Sequence, residues 1–349
     1  MKGKQGLVCM GLLLVLSSCH TGKQITASGL QRKDFQTEVN GQHTDLFTLS
    51  NKQGMEVCIT NYGARVVSIL VPDRNGKRED VVCGFSTITE YMEQRQNFGS
   101  TVGRYIGRIL NARFTLDGVE YKLVPNNGKS GHISHGGNPG FADRIWKVEQ
   151  ADTHRVCLSY LSPDGENGFP GNLKVTLVYS LGEDDNALDL TYEATTDAPT
   201  VLNLSHHSFF NISGNFTKSV EDQQLWVDAD RFTPYDDKKC VTGEYLPVAG
   251  TPLDFRMPHT IGECIDADHP QLKVVNGYDH TWELNTKGDD TRPAAWVYDP
   301  ASGRKMEIFT TEPGMQIYTG NGLKGKMTGK GGIAYPFRSA VCFETMHFQ

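Results

Sequence analysis

Apolar and polar residues alternate along much of this chain, whereas the three-to-four spacing of an amphipathic helix is nearly absent. Leu173-Lys174-Val175-Thr176-Leu177-Val178-Tyr179 alternates over most of its length, and so does Leu188-Asp189-Leu190-Thr191-Tyr192. A period of two marks half-buried antiparallel strands. Val57-Cys58-Ile59-Thr60 and the run over 66–71 are β-branched segments separated by Asn61-Tyr62-Gly63. Turn signals punctuate the chain at Arg74-Asn75-Gly76, Asp117-Gly118, Pro163-Asp164-Gly165 and Glu183-Asp184-Asp185-Asn186. Residues 87–96 are the best helical candidate, and that stretch is short. No linker, charge block or internal repeat interrupts the pattern. It predicts one large all-β domain, an antiparallel β-sandwich rather than a βαβ fold.

The first residues have a different character. Lys2 and Lys4 precede an apolar run over 7–16, and Ser17-Ser18-Cys19 follows it. A run of about ten apolar residues is too short to span a bilayer but suits the core of a signal peptide. The small-small-Cys ending resembles a bacterial lipoprotein cleavage site. The expectation is therefore a signal peptide over 1–18, lipidation at Cys19, a polar tether over 19–33 and the folded domain over 34–349. Acyl chains would place the protein on the exported side of a bacterial membrane, periplasmic or cell-surface, without a spanning helix.

Composition narrows the function. Hydrophobic residues make up 38% of the chain, enough for a buried core. The formal net charge of −7 argues against a nucleic-acid partner, which needs a basic face. Beyond Cys9 and Cys19, the six cysteines Cys58, Cys83, Cys157, Cys240, Cys264 and Cys342 are scattered, and three sit in strand-like runs. They read as free, mostly buried thiols. Gly320-Asn321-Gly322-Leu323-Lys324-Gly325 matches the dinucleotide pattern G-x-G-x-x-G. The glycine-rich sequence after it will not start the helix that such a site requires, so it is read as a loop.

Chemistry-bearing side chains gather in four places. His132 and His135 flank Ile133-Ser134, and His135 leads into Gly136-Gly137. His206-His207 ends an apolar strand, and Asp279-His280 follows Gly277-Tyr278. Glu344 lies in Val341-Cys342-Phe343-Glu344-Thr345, where an ionised carboxylate needs a partner. These histidines form no closed zinc pattern, and no metal site is assigned.

Together these segments resemble the aldose 1-epimerase (galactose mutarotase) family from about Phe35 to His347. Thr101-Val102-Gly103-Arg104-Tyr105-Ile106-Gly107-Arg108-Ile109 is similar to its V-G-R-x-x-N-R-I. Ser134-His135-Gly136-Gly137 resembles L-H-G-G, and Asn203-Leu204-Ser205-His206-His207-Ser208-Phe209-Phe210-Asn211 resembles N-L-T-N-H-S-Y-F-N. Gly277-Tyr278-Asp279-His280 and Cys342-Phe343-Glu344-Thr345 follow in the family's order. The resemblance implies a galactose mutarotase-like supersandwich that interconverts α and β anomers of free aldohexoses, galactose or glucose, without metal or organic cofactor. It implies Glu344 as general base for the anomeric hydroxyl and His207 as general acid for the ring oxygen. The two would stand on opposite sides of the sugar, with Arg108, His135 and Asp279 holding it.

Two positions depart from the pattern. Gly107 stands where the family has Asn, and His206 replaces the Asn before the catalytic histidine. Family members also usually continue well past the Glu-Thr segment, so the strand bearing Glu344 is expected to be poorly buttressed, with an exposed sheet edge. These departures leave an alternative, a non-catalytic carbohydrate-binding lipoprotein on the same scaffold.

Overall fold

The structure, a computed structural model, describes residues 24–348. Residues 1–18, read as a signal peptide, and Cys19 lie outside the described residues. The expected all-β architecture is present, built from two sandwich-like halves. In the first half, Leu46–Ser50, Glu56–Thr60, Arg65–Pro72 and Arg78–Asp80 form an antiparallel meander. A second meander of Lys147–Ala151, Arg155–Ser162, Leu173–Leu181 and Leu188–Thr196 packs on it. Alternation in Leu173–Leu181 turns Leu173, Val175, Leu177, Tyr179 and Leu181 inward. There they meet Val57, Ile59, Val66 and Ile69 in one core. Glu56–Thr60 is buried on both faces, which explains why its sequence reads as an apolar run rather than an alternation.

In the second half, a six-stranded antiparallel sheet runs in the order Phe209–Phe210, Val341–Met346, Gly314–Tyr318, Asp279–Leu284, Ala229–Thr233, Leu246–Pro247. One face buries Trp282, Met315, Ile317 and Phe343 against Leu225, Val227, Ala295 and Val297 of a four-stranded neighbour. A third cluster, including Phe35, Phe85, Tyr91, Phe98, Phe209 and Tyr335, joins the halves. The α-helices among the described residues are Ile88–Gln94, closed by a Thr87/Glu90 capping box, and Pro270–Val275. All six cysteines among the described residues are free, and the 320–325 glycine loop leads directly into no helix.

Two expectations need correction. Residues 24–33, read as part of a tether because they are polar, are docked on the first sheet. The buried Glu56 carboxylate accepts hydrogen bonds from Ala27 N (2.7 Å) and Ser28 N (3.4 Å), and Leu30 is buried. The polarity of this segment supplies backbone donors to a buried acid, which composition alone does not reveal. Nor is the strand bearing Glu344 an exposed edge. Val341–Met346 pairs with Gly314–Tyr318 on one side and, through Val341 and Cys342, with Phe209–Phe210 on the other.

Candidate active site

The six-stranded sheet places the site by register. Gln316 lies opposite Glu344, Tyr318 opposite Cys342, Asp279 opposite Tyr318 and Thr281 opposite Gln316. Side chains alternate between faces, so Phe343 enters the core while Cys342 and Glu344 point the other way. Likewise His280 and Asp279, neighbours in sequence, face opposite directions. His280 packs edge-on to Phe232 and Trp282, on the core side.

His207 comes from the strand Ser205–His207, which pairs with Ser100–Val102. Its Nε2 lies 3.3 Å from Glu344 Oε1. Its Nδ1 lies 3.7 Å from Cys342 Sγ, and Phe209 stacks on its face at 5.1 Å. His135 stands edge-on at 5.4 Å. His135 is held by its own backbone, since its N–H donates to Gly107 O (2.9 Å) and Gly107 N–H donates to its Nδ1 (3.4 Å). Arg108 projects from the pairing of Arg108–Ile109 with Ile133–Ser134, with its guanidinium 5.9 Å from the centre of the Tyr235 ring. Asp279 Oδ1 accepts from Gln316 Nε2 at 2.6 Å, and Gln316 Oε1 accepts from Thr281 Oγ1 at 3.2 Å.

Burial sets the electrostatics. Glu344 is 1% exposed and His207 5%. Loss of solvent pushes Glu344 up to about 8, with Arg108 opposing the rise, and pushes His207 down to about 4. Asp279 rises to about 7, chiefly through burial; Arg108 pulls it back and Glu344 adds to the rise. His135 falls well below the ordinary imidazole value, through burial first and then the neighbouring His207 and Arg108. The site therefore holds two neutral imidazoles and two carboxyls, Glu344 and Asp279, that ionise near neutrality, as acid–base chemistry requires.

Sequence reading named Glu344, His207, Arg108, His135 and Asp279. Glu344 and His207 are in contact, and Arg108, His135 and Asp279 surround them. One geometric expectation fails: at 3.3 Å the acid and base cannot stand on opposite sides of a sugar ring. They are adjacent and address the same edge. Reading missed Gln316 and Tyr235, whose positions follow only from cross-strand register and a loop return. His132 instead accepts from Asn111 N at 3.0 Å and is structural. His206 alternates away from His207, bonds Ser208 Oγ (2.6 Å) and meets Tyr179, so it replaces no sugar contact. Gly107 has φ +76°, a conformation that Asn also tolerates, so the departure costs no backbone change.

His207, Cys342 and Glu344 bring nitrogen, sulfur and oxygen atoms within 4.8 Å of one another. Cys342 and Glu344 approach opposite nitrogens of the ring, however, and Arg108 acts on Glu344 as a competing cation. This donor set does not favour a metal.

The sequence profile described as Aldose 1-epimerase matches residues 45–349. This chain belongs to the aldose 1-epimerase family. Among relatives of this family, galactose mutarotase of Sus scrofa is 39% identical, covering 86% of this chain and 85% of that protein. Aldose 1-epimerase of Escherichia coli K12 is 36% identical over 82% and 81% of the two chains. Among solved structures, an aldose epimerase homologue from C. elegans superposes with a TM-score of 0.79 at 30% identity, covering 87% of this chain and 89% of that one. The galactose 1-epimerase of Lactobacillus acidophilus NCFM gives 0.78 at 29% identity, covering 89% and 88%. The aldose 1-epimerase fold and the order of its motifs thus extend over nearly all the described residues.

Proposed function

We propose that this aldose 1-epimerase equilibrates the anomers of free aldohexoses, with galactose or glucose as substrate, and that Glu344 and His207 carry the proton transfers. The observation that carries this reading is the contact between the Glu344 carboxyl and His207 Nε2, ringed by Arg108, His135 and Asp279. O1 and the ring oxygen are both bonded to C1, so a base and an acid serving them must themselves be neighbours.

The pair holds one proton between its two members. With that proton on His207, ring opening takes the O1 proton onto the Glu344 carboxylate and delivers the imidazolium proton to the ring oxygen. The C1–O5 bond breaks as the C1=O1 double bond forms. Rotation about C1–C2 presents the other aldehyde face. In reclosure the O5 hydroxyl attacks C1, returning its proton to His207, while Glu344 protonates the carbonyl oxygen. No electron or group leaves the sugar. Burial favours the neutral arrangement, so the open-chain stage coincides with the pair's preferred protonation and is not penalised by charge.

Polarimetry on a fresh α-anomer tests the reading, because a pure binding module would leave spontaneous mutarotation unchanged. The rate is expected to stay level while the pair holds its single proton. It should fall above about pH 8 as that proton is lost and below about pH 4 as a second is gained. A profile centred on an ordinary carboxyl value would remove Glu344 from this role.

We also propose that the protein is exported and anchored through lipid on Cys19. Lys2, Lys4, the apolar run over 7–16 and Ser17-Ser18-Cys19 support this. Among the described residues no helix is long and apolar enough to cross a membrane. Cys19→Ala is expected to move the protein from the membrane to the soluble fraction; unchanged membrane retention would overturn the anchor.

A further inference from the structure

Tyr235 supplies a polar atom that the mechanism above does not use. It is 4% exposed and follows the strand Ala229–Thr233. Gln271 fixes its backbone from both directions: Tyr235 N–H donates to Oε1 (2.8 Å), and Gln271 Nε2 donates to Tyr235 O (2.9 Å). The ring lies between the Arg108 guanidinium, 5.9 Å from its centre, and the His280 ring at 5.4 Å. Neither the residue nor its direction is therefore free to relax.

The hydroxyl feels the charged groups of the site. Burial is the main influence on its ionisation, followed by Asp279, with Arg108 opposing and Glu344 adding. A phenol has one proton to donate and lone pairs to accept. Arg108 can only donate, so whatever it gives the oxygen, it cannot receive the phenol's proton. No protein atom takes a hydrogen bond from this buried hydroxyl, and Asp279, the carboxylate that acts on it most strongly, accepts from Gln316 through Oδ1. A buried O–H without an acceptor costs about 1–3 kcal/mol, and such a group inside a binding site is accounted for by a ligand acceptor.

We propose that Tyr235 is a substrate-binding residue whose hydroxyl donates a hydrogen bond to one oxygen of the hexose held between Arg108 and Asp279. This rests on the reading of the site as a hexose site and adds a discriminating contact to it. A site built to hydrogen-bond a given oxygen rejects analogues lacking that oxygen, because its own polar group is then left unpaired. The residue thus selects among hydroxyl patterns and takes no part in the proton transfers.

Tyr235→Phe keeps the ring against Arg108 and His280 and removes only the O–H, and a thermal melt checks that the fold is kept. KM for the preferred hexose is expected to rise about tenfold, with kcat unchanged within about a factor of two. A series of mono-deoxy hexoses then identifies the partner. One of them should bind wild type and variant equally, while the others keep the tenfold difference. An unchanged KM, an equal loss across every deoxy sugar, or a fall confined to kcat would each overturn the proposal. Wild type that fails to accelerate mutarotation would sink the catalytic reading instead. Calorimetric binding of the same sugars to both proteins then decides the role of Tyr235 on its own.

Discussion

Glu344→Gln will reduce kcat by about a thousandfold or more while making the folded protein more stable at alkaline pH. The first effect follows from chemistry: an amide cannot take the O1 proton, and a positioned general base contributes about 10²–10⁴. The second follows from linkage. Unfolded, the carboxyl releases its proton near the ordinary glutamate value; folded, it holds it up to about 8. Between those values the folded state binds more protons than the unfolded state, so stability falls as pH rises and the loss is complete above about 8. The glutamine variant escapes this loss, on the order of 5 kcal/mol at its upper bound for a group buried this deeply. Polarimetry gives the first readout, and melting temperatures of both proteins between pH 5 and 9 give the second. A gap between the melting curves that fails to widen with pH would show that Glu344 is not held protonated by burial.

Gly136→Ala is expected to cost at least about 3 kcal/mol of stability and to lower kcat/KM about a hundredfold in whatever remains folded. The glycine has φ +77°, and a Cβ there would sit 1.9 Å from Gly103 O and 2.6 Å from Arg104 N. Both atoms are backbone, so no side chain can turn aside. The next residue upstream is His135, whose N–H is fixed to Gly107, so any shift is passed to the imidazole beside His207. Gly118→Ala is the control. It has nearly the same φ, +79°, but nothing within 4 Å of the added methyl. It should cost only the strain of a positive φ, about 1 kcal/mol, and leave kinetics untouched. Equal effects at the two glycines would refute steric contact as the cause. Urea denaturation and the polarimetric assay measure both quantities.

The two glycines show what the sequence made legible and what it did not. The sequence shows Gly136 following His135, but not that the backbone of Gly103 and Arg104, far off in the chain, lies against it. Strands such as Leu173–Leu181 were readable because one face meets water and one does not. Glu56–Thr60 has no such contrast, and the acid at its start is satisfied by backbone donors of residues 27 and 28, far from it in sequence. The site residues were named by their resemblance to family motifs; spacing alone did not separate His135 and His207 from His132 and His280. His207 and His280 differ in which face of a strand they occupy, and His135 and His132, on either side of Ile133–Ser134, differ in what each ring meets. Gln316 and Tyr235 stayed hidden for the same reason. Their partners are fixed by register between strands and by a loop returning over the sheet, neither of which a linear pattern records.

The docking of residues 24–33 onto Glu56 bears on how this enzyme would sit in the cell. An acylated Cys19 would be joined to Gln24 by a stretch spanning at most about 17 Å, less than the roughly 20 Å radius of gyration expected of a domain this size. With the proposed lipid on Cys19, so short a leash would keep the body close to the lipid headgroups. It would be a fixture of the bilayer surface, meeting sugars in the thin layer of solvent that borders it rather than in the bulk.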